Sequence, residues 1–94
     1  MFELFMSEYF EEKYQKIIKN NNILETRIKK SLKHLTLDPF YPSLNSHKVD
    51  LSNFGVVYSS WVTGDIRIIW EYGTSKDTIH LLNIGGHSGK NSAY

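Results

Sequence analysis

The sequence contains no cysteine, only two prolines, and no apolar run long enough to cross a membrane. Without cysteine, a disulfide framework and a thiolate metal site are both excluded. The sequence also has no His-Glu-x-x-His pattern, no acidic metal-binding loop and no Gly-x-Ser-x-Gly elbow, and its four histidines fall on different predicted elements. We therefore expect no metal, no cofactor and no serine-hydrolase chemistry. The start of the chain does not have the pattern of a signal peptide, so a cytoplasmic location is expected.

The 94 residues allow a single domain over 1–94, and their composition, 40% hydrophobic and 22% charged, is that of an ordinary folded protein. The formal net charge of +1 says little about partners. Its distribution is more informative, because eight of the eleven lysines and arginines precede residue 50. These cations are either the solvated faces of two helices or a basic flank that attracts nucleic acid.

The first half of the chain has helical spacing of its apolar residues. Residues 2–5 predict a short strand, and Ser7 is a candidate N-cap for a helix over 8–19. Asn22 opens a pattern similar to a capping box, which predicts the start of a second helix. That helix is expected to end before Pro39, because the residue preceding proline is disfavoured in the α region.

In the second half of the chain, apolar and polar residues alternate with a period of two, which is typical of strands. Strands are predicted over 56–62, 66–72 and 78–84, and the short turns between them are typical of an antiparallel meander. Residues 41–55 are predicted as a polar link, and the last ten residues as a polar tail. The resulting order, β-α-α-β-β-β, predicts an α+β domain in which a helical hairpin packs on one face of an antiparallel sheet.

A few polar side chains near the predicted sheet could carry chemistry. Period two places Arg67 on the exposed face of its strand, where it is either an ion-pair partner of Glu71 or a bidentate clamp for phosphate. His87 follows two glycines and is either a solvated tail residue or a proton-transfer group aimed back across the sheet. If the loop with His47 and Lys48 folds over the same face, all of these cations and imidazoles surround one site.

Three segments together resemble the RelE/ParE superfamily of bacterial type II toxin–antitoxin toxins, and more closely its messenger-RNA interferase branch (similar to RelE, YafQ and YoeB). They are SHKVDL (46–51), YSSWVTGDIRIIWEY (58–72) and TIHLLNIGGHSG (78–89). The resemblance covers nearly the whole chain. It implies a RelE-like microbial ribonuclease fold, cleavage of mRNA at the ribosome that inhibits translation and growth, and a cognate antitoxin that forms a hetero-oligomer with the toxin.

The resemblance also implies roles for single residues. Arg67 matches the arginine that stabilises the phosphate, His87 matches the general acid, and His47 lies where relatives activate the ribose 2′-hydroxyl. Such a reaction needs only acid, base and cation, so it is metal-independent. Three further residues are expected to bind the RNA: Lys48, Trp61 and Tyr94.

Two other functions remain open at this point. ParE-type relatives inhibit DNA gyrase and lack the catalytic residues, and a degenerate relative would only bind its antitoxin. A supercoiling assay beside an RNA cleavage assay separates the first alternative from a nuclease. Growth after induction of the gene alone tests the second.

Overall fold

The computed structural model describes residues 1–86 and 92–94, and it shows two helices packed on a five-stranded sheet. The elements in chain order are β1 (Glu3–Met6), α1 (Glu8–Ile18), α2 (Asn22–Leu37), a 3₁₀ turn (Pro42–Leu44), β2 (His47–Leu51), β3 (Gly55–Trp61), β4 (Ile66–Tyr72) and β5 (Thr78–Gly86). The strand order is β1-β5-β4-β3-β2. Neighbouring strands are antiparallel except β1 and β5, which run parallel.

The predicted α+β class and the helical hairpin on one face of the sheet are confirmed. Two details of the prediction are wrong. Residues 41–55, predicted as a polar link, contain the additional strand β2, and β1 makes the sheet mixed rather than wholly antiparallel. β2 is an edge strand with polar side chains at three of its five positions, so its period of two is weakly expressed in the sequence.

Each helix begins at a side-chain cap. The Ser7 hydroxyl oxygen accepts a hydrogen bond from the backbone N–H of Phe10 at 3.0 Å, which confirms the predicted N-cap. The second helix is capped one residue earlier than predicted. The side-chain oxygen of Asn21 accepts from the backbone N–H of Leu24 at 3.1 Å, and Asn22 is the first helical residue.

The two faces of the sheet have different covers. On the helical face, the hairpin packs against alternate residues of β4 and β5. The fully buried hydrophobic side chains of this core are Phe10, Ile28, Leu35, Leu44, Ile68, Trp70, Ile79, Leu81 and Ile84. The opposite side, here called the open face, carries His47, Ser59, Trp61, Arg67 and Ile69. Among the described residues, a smaller cluster that includes Ala93 and Tyr94 packs on this face.

A β-bulge interrupts the pairing of β4 with β5. Asn83 and Leu81 pair with consecutive residues of β4, so Leu82 is left out of the register. Strict alternation would turn Ile84 to the open face and Asn83 into the helical core. The bulge reverses this: Ile84 is buried in the helical core, and the side chain of Asn83 reaches the backbone of Ala93.

Within the described residues, no helix combines the length and the apolar character that a membrane span requires.

Candidate active site

Arg67 lies on the open face near the start of β4, the middle strand of the sheet. The guanidinium is covered by the indole ring of Trp61, which is its partner in the β3–β4 ladder, with Cζ 4.6 Å from the ring centroid. Nη1 donates to the carbonyl oxygen of Thr63 at 2.8 Å and to that of Ile66 at 3.3 Å. Arg67 is only 6% exposed, so the prediction that it is a surface residue is wrong. The alternation of side chains along the strand predicts the correct face for Arg67. It does not predict that the ring of Trp61 covers the side chain there.

The guanidinium of Arg67 keeps one hydrogen-bonding edge for a ligand. Its backbone bonds use Nη1, and Nε and Nη2 have no partner among residues 1–86 and 92–94. In this part of the chain, no side-chain nitrogen or oxygen that is sealed from solvent lacks a hydrogen bond, so the described residues do not seal these two nitrogens off completely. Two parallel N–H groups of this kind match the oxygens of a phosphate. The site can therefore hold an oxyanion against a fixed cation.

His47 begins β2 and pairs with Ser59 of β3, which places it on the open face with Arg67. Its Nδ1 lies 3.0 Å from the carbonyl oxygen of Asn45. Because a carbonyl can only accept, Nδ1 carries the proton in this bond, and the neutral ring keeps its lone pair on Nε2. The exposed imidazole can thus accept a proton at Nε2.

A line of hydrogen bonds, buried at Trp70 and partly buried at Ser46, fixes the chain just before His47. The indole N–H of Trp70 donates to the Ser60 hydroxyl at 2.7 Å, and the hydroxyls of Ser60 and Ser46 are 2.6 Å apart. Ser46 in turn donates to the carbonyl oxygen of Pro39 at 2.6 Å. Each hydroxyl has one hydrogen, and Ser46 uses its own to bind Pro39, so the Ser60 hydroxyl donates to that of Ser46. The start of β2 is thereby tied to the core of the sheet.

Lys48 does not join this site. It pairs with Tyr58, whose ring is stacked on Trp70 on the helical face, and successive strand residues point to opposite sides. The prediction that a loop carries both His47 and Lys48 over the face of Arg67 is therefore wrong for Lys48. The physical reason is that this segment is a strand, in which neighbouring side chains diverge.

Tyr94 lies over the open face. Its hydroxyl is 2.6 Å from the Ser59 hydroxyl, and its ring packs against the cluster that includes Val57 and Ile69. Because Ser59 is also the strand partner of His47, this hydrogen bond places Tyr94 beside the β3 position that faces His47. The sequence gives one signal for this role, a small polar residue within an apolar strand.

The residues before Tyr94 are anchored to two elements, β5 and α1. The N–H of Ala93 donates to the Gly86 carbonyl at 2.8 Å, and the buried Asn83 side chain donates to the Ala93 carbonyl at 2.9 Å. From α1, the ammonium of Lys13 donates to the Ser92 carbonyl at 3.1 Å. Partial burial, together with the neighbouring charge of Lys16, lowers the pKa of Lys13 below its usual value. Residues 92–94 are thus held in place by side chains that the sequence analysis did not single out.

His87, the predicted general acid, lies outside the described residues. The strand that precedes it, β5, runs beside β4 to Gly86, and Gly85 is the ladder partner of Arg67. Metal-binding groups of three or more His, Cys, Asp or Glu side chains do not occur in the described part of the chain.

The structure thus brings His47, Arg67, Trp61 and Tyr94 from separate segments onto one face of the sheet. Neighbouring strands are about 4.8 Å apart and residues along a strand about 3.4 Å, which separates the Cα atoms of His47 and Arg67 by about 12 Å. Side chains of this length can approach one small group from two sides. The open face therefore combines an oxyanion site with a potential proton acceptor.

No protein-family model matches the sequence, and no curated protein sequence does so either. Solved structures match over nearly the whole chain. A metal-bound toxin from Helicobacter pylori has a TM-score of 0.73 at 18% identity, covering 93% of this chain and 96% of the toxin. The YoeB/ParE toxin from Agrobacterium tumefaciens has a TM-score of 0.74 at 11% identity, covering 92% of this chain and 99% of that toxin.

The archaeal RelE–RelB complex from Pyrococcus horikoshii OT3 also contains a similar chain, with a TM-score of 0.72 at 13% identity and coverage of 95% of this chain and 98% of that one. At such identities the shared property is the fold. The fold is that of toxin components of toxin–antitoxin pairs. More particularly, it is the fold of the RelE, YafQ and YoeB toxins, which confirms the predicted RelE-like architecture.

Proposed function

We propose that this chain is the toxin of a type II toxin–antitoxin pair and that it cleaves mRNA as a metal-independent endoribonuclease. The single observation that carries the proposal is the Arg67 guanidinium, which is fixed on Nη1 and under Trp61 while Nε and Nη2 have no hydrogen-bond partner among the described residues. The similar chain of the archaeal RelE–RelB complex supports an antitoxin as the protein partner.

The proposed reaction is attack of a ribose 2′-oxygen on the adjacent phosphorus, with departure of the 5′-oxygen. Nε2 of His47 accepts the 2′-hydroxyl proton, and Arg67 stabilises the negative charge that develops on the phosphoryl oxygens. His87 is proposed to protonate the leaving oxygen. DNA lacks the 2′-hydroxyl nucleophile, so it is not a substrate.

Two aromatic residues are proposed to bind the bases next to the reacting linkage. Trp61 is 39% exposed although one face of its ring covers Arg67, and Tyr94 lies across the same face of the sheet. Aromatic rings bind the bases of single-stranded RNA by stacking, largely without regard to sequence. Lys48, on the other side of β2, is left out of the proposed site.

The direct test compares RNA cleavage by the wild type and by Arg67→Gln, which keeps the side-chain length but removes the charge. We expect a decrease of at least about 100-fold, the range that loss of an oxyanion-stabilising donor produces. Lys48→Gln is the matched control, because it removes one positive charge from the opposite face and should leave the rate unchanged. Gyrase inhibition without RNA cleavage would instead favour a ParE-like function.

A further inference from the structure

A second concave surface lies on the other side of Trp61. It is a groove of about 480 Å³ between α2 and the end of β3, here called the α2 groove. Arg27, Lys30 and His34 line it from the helix, and Trp61 and Ser43 line it from the opposite side. Its volume falls within the range of about 300–1,000 Å³ that is usual for small-ligand sites.

The charge that lines the α2 groove has one sign. Spacings of three and four residues place Arg27, Lys30 and His34 on one stripe of the helix. Among the described lining residues, the charged side chains are Arg27 and Lys30, and neither makes an ion pair within residues 1–86 and 92–94. In contrast, Lys29 on a different side of α2 is paired with Glu25 at 3.0 Å. The unpaired cations therefore face the groove.

Aromatic rings accompany these cations. Trp61 belongs to both sites, since it is among the residues that line the groove and its ring covers the Arg67 guanidinium. The imidazole of His34 is stacked on the ring of Tyr41, with centroids 4.2 Å apart and ring planes 10° apart. The hydroxyl of Ser31 donates to the Trp61 carbonyl at 3.4 Å, which links α2 to the end of β3.

Unpaired cations beside accessible rings are the combination that binds single-stranded nucleic acid, because phosphates are neutralised while bases stack. A simple anion would not require the rings, and an acidic peptide would use them less. We propose that the α2 groove binds single-stranded RNA and holds the flank of the strand whose scissile linkage lies at Arg67. The location of the scissile linkage rests on the proposed function, whereas RNA binding by the groove does not.

The test measures binding rather than cleavage. A fluorescent, fully 2′-O-methylated RNA oligonucleotide cannot undergo attack by its own 2′-oxygen, so its dissociation constant can be measured by anisotropy at several salt concentrations. The variant Arg27→Gln/Lys30→Gln removes both groove cations. Lys29→Gln/Lys33→Gln is the matched control, because it removes the same charge from positions of the same helix that are not among the lining residues of the groove.

We expect the groove variant to bind about tenfold more weakly than the wild type. Each lost phosphate contact lowers the slope of log affinity against log salt by about 0.7, so the slope should fall by about 1.4 for the two contacts. The control variant should retain the wild-type slope. Quenching of tryptophan emission by the RNA should occur in the wild type and be lost in Trp61→Phe, because the other tryptophan, Trp70, is fully buried.

If the groove variant and the control bind RNA with equal affinity and equal salt dependence, the proposal is overturned. An acidic protein segment would then be the better candidate ligand of the groove. This outcome is separable from failure of the proposed function. If the wild type binds the oligonucleotide through the groove but does not cleave unmodified RNA, the groove proposal holds and the nuclease proposal fails. If the wild type cleaves RNA but the groove variant binds the oligonucleotide as tightly as the wild type, the nuclease proposal holds and the groove proposal fails.

Discussion

The guanidinium of Arg67 lies against the indole ring of Trp61, with Cζ 4.6 Å from the ring centroid, and the two residues are direct partners across β3 and β4. This contact orients the cation before any ligand is bound. Trp61 also lines the α2 groove. Oxyanion stabilisation and RNA binding are therefore expected to depend on the same residue.

Removing this ring should reduce catalysis even though no charge is lost. We expect Trp61→Leu to lower the rate of RNA cleavage about fivefold, which corresponds to about 1 kcal/mol of cation–π energy. Trp61→Phe keeps an aromatic face and should retain most of the activity. Single-turnover rates for the three proteins check this prediction. Equal rates for Leu and Phe would show that the ring does not orient Arg67.

The serine line beneath β2 should contribute to stability. Ser60→Ala removes the acceptor of the buried Trp70 indole N–H, and an unsatisfied buried donor costs about 1–3 kcal/mol. The free energy of unfolding in urea should decrease by this amount. Ser43→Ala is the control, because this exposed serine should change stability by no more than about 0.5 kcal/mol. A similar small change in Ser60→Ala would contradict the proposed line.

The C-terminal residues should depend on the amide of Asn83. In Asn83→Ala the Ala93 carbonyl loses its buried donor, and we expect the free energy of unfolding to decrease by about 1–3 kcal/mol. Tyr94→Phe removes the hydrogen bond to the Ser59 hydroxyl and should cost about 1 kcal/mol. Urea denaturation of both variants measures the difference. If Asn83→Ala is as stable as the wild type, this side chain does not anchor the C-terminal residues.

Tyr72 should give the protein a pH dependence in the alkaline range. Burial, followed by the neighbouring Tyr58 and Asp38, raises the pKa of Tyr72 above 10.0, because each disfavours the phenolate. Above pH 10 the unfolded chain releases this proton more readily than the folded chain, so stability is present below that pH and falls as pH rises.

The difference in unfolding free energy between wild type and Tyr72→Phe should therefore shift against the wild type as the pH rises through 10. Denaturant titrations of both proteins at pH 8, 10 and 11 measure this difference. A difference that stays constant with pH would show that Tyr72 has the same pKa in both states. Groups common to both proteins, including Lys13, cancel in this comparison.

Local patterns in the sequence predict the elements that are stabilised locally. The Ser7 cap and the alternation that buries Ile68 and Trp70 depend on neighbouring residues alone, and the structure confirms both. Asn83 reaches Ala93 because of a bulge whose effect depends on the partner strand, so strict alternation assigns it the wrong face. The burial of Arg67 likewise depends on Trp61, which only the folded sheet brings near.

The candidate site follows the same rule. Sequence resemblance singled out His47, Arg67, Trp61 and Tyr94, and the fold places them on one face of the sheet. The sequence analysis places Lys48 with them because β2 has too few apolar residues to be recognised as a strand. Within that strand, the side chain of Lys48 points to the opposite face of the sheet. The anchoring side chains were not predicted, because hydrogen bonds to distant backbone carbonyls leave no local pattern.

The most direct measurement of the central claim is the chemistry of the RNA ends that the wild-type protein produces. Attack by the 2′-oxygen predicts a 2′,3′-cyclic phosphate, or the 3′-phosphate formed from it, on one fragment and a 5′-hydroxyl on the other. A single 2′-deoxy substitution at the scissile nucleotide should abolish cleavage there. Mass spectrometry that finds 5′-phosphate ends, or undiminished cleavage at the deoxy position, would contradict the account.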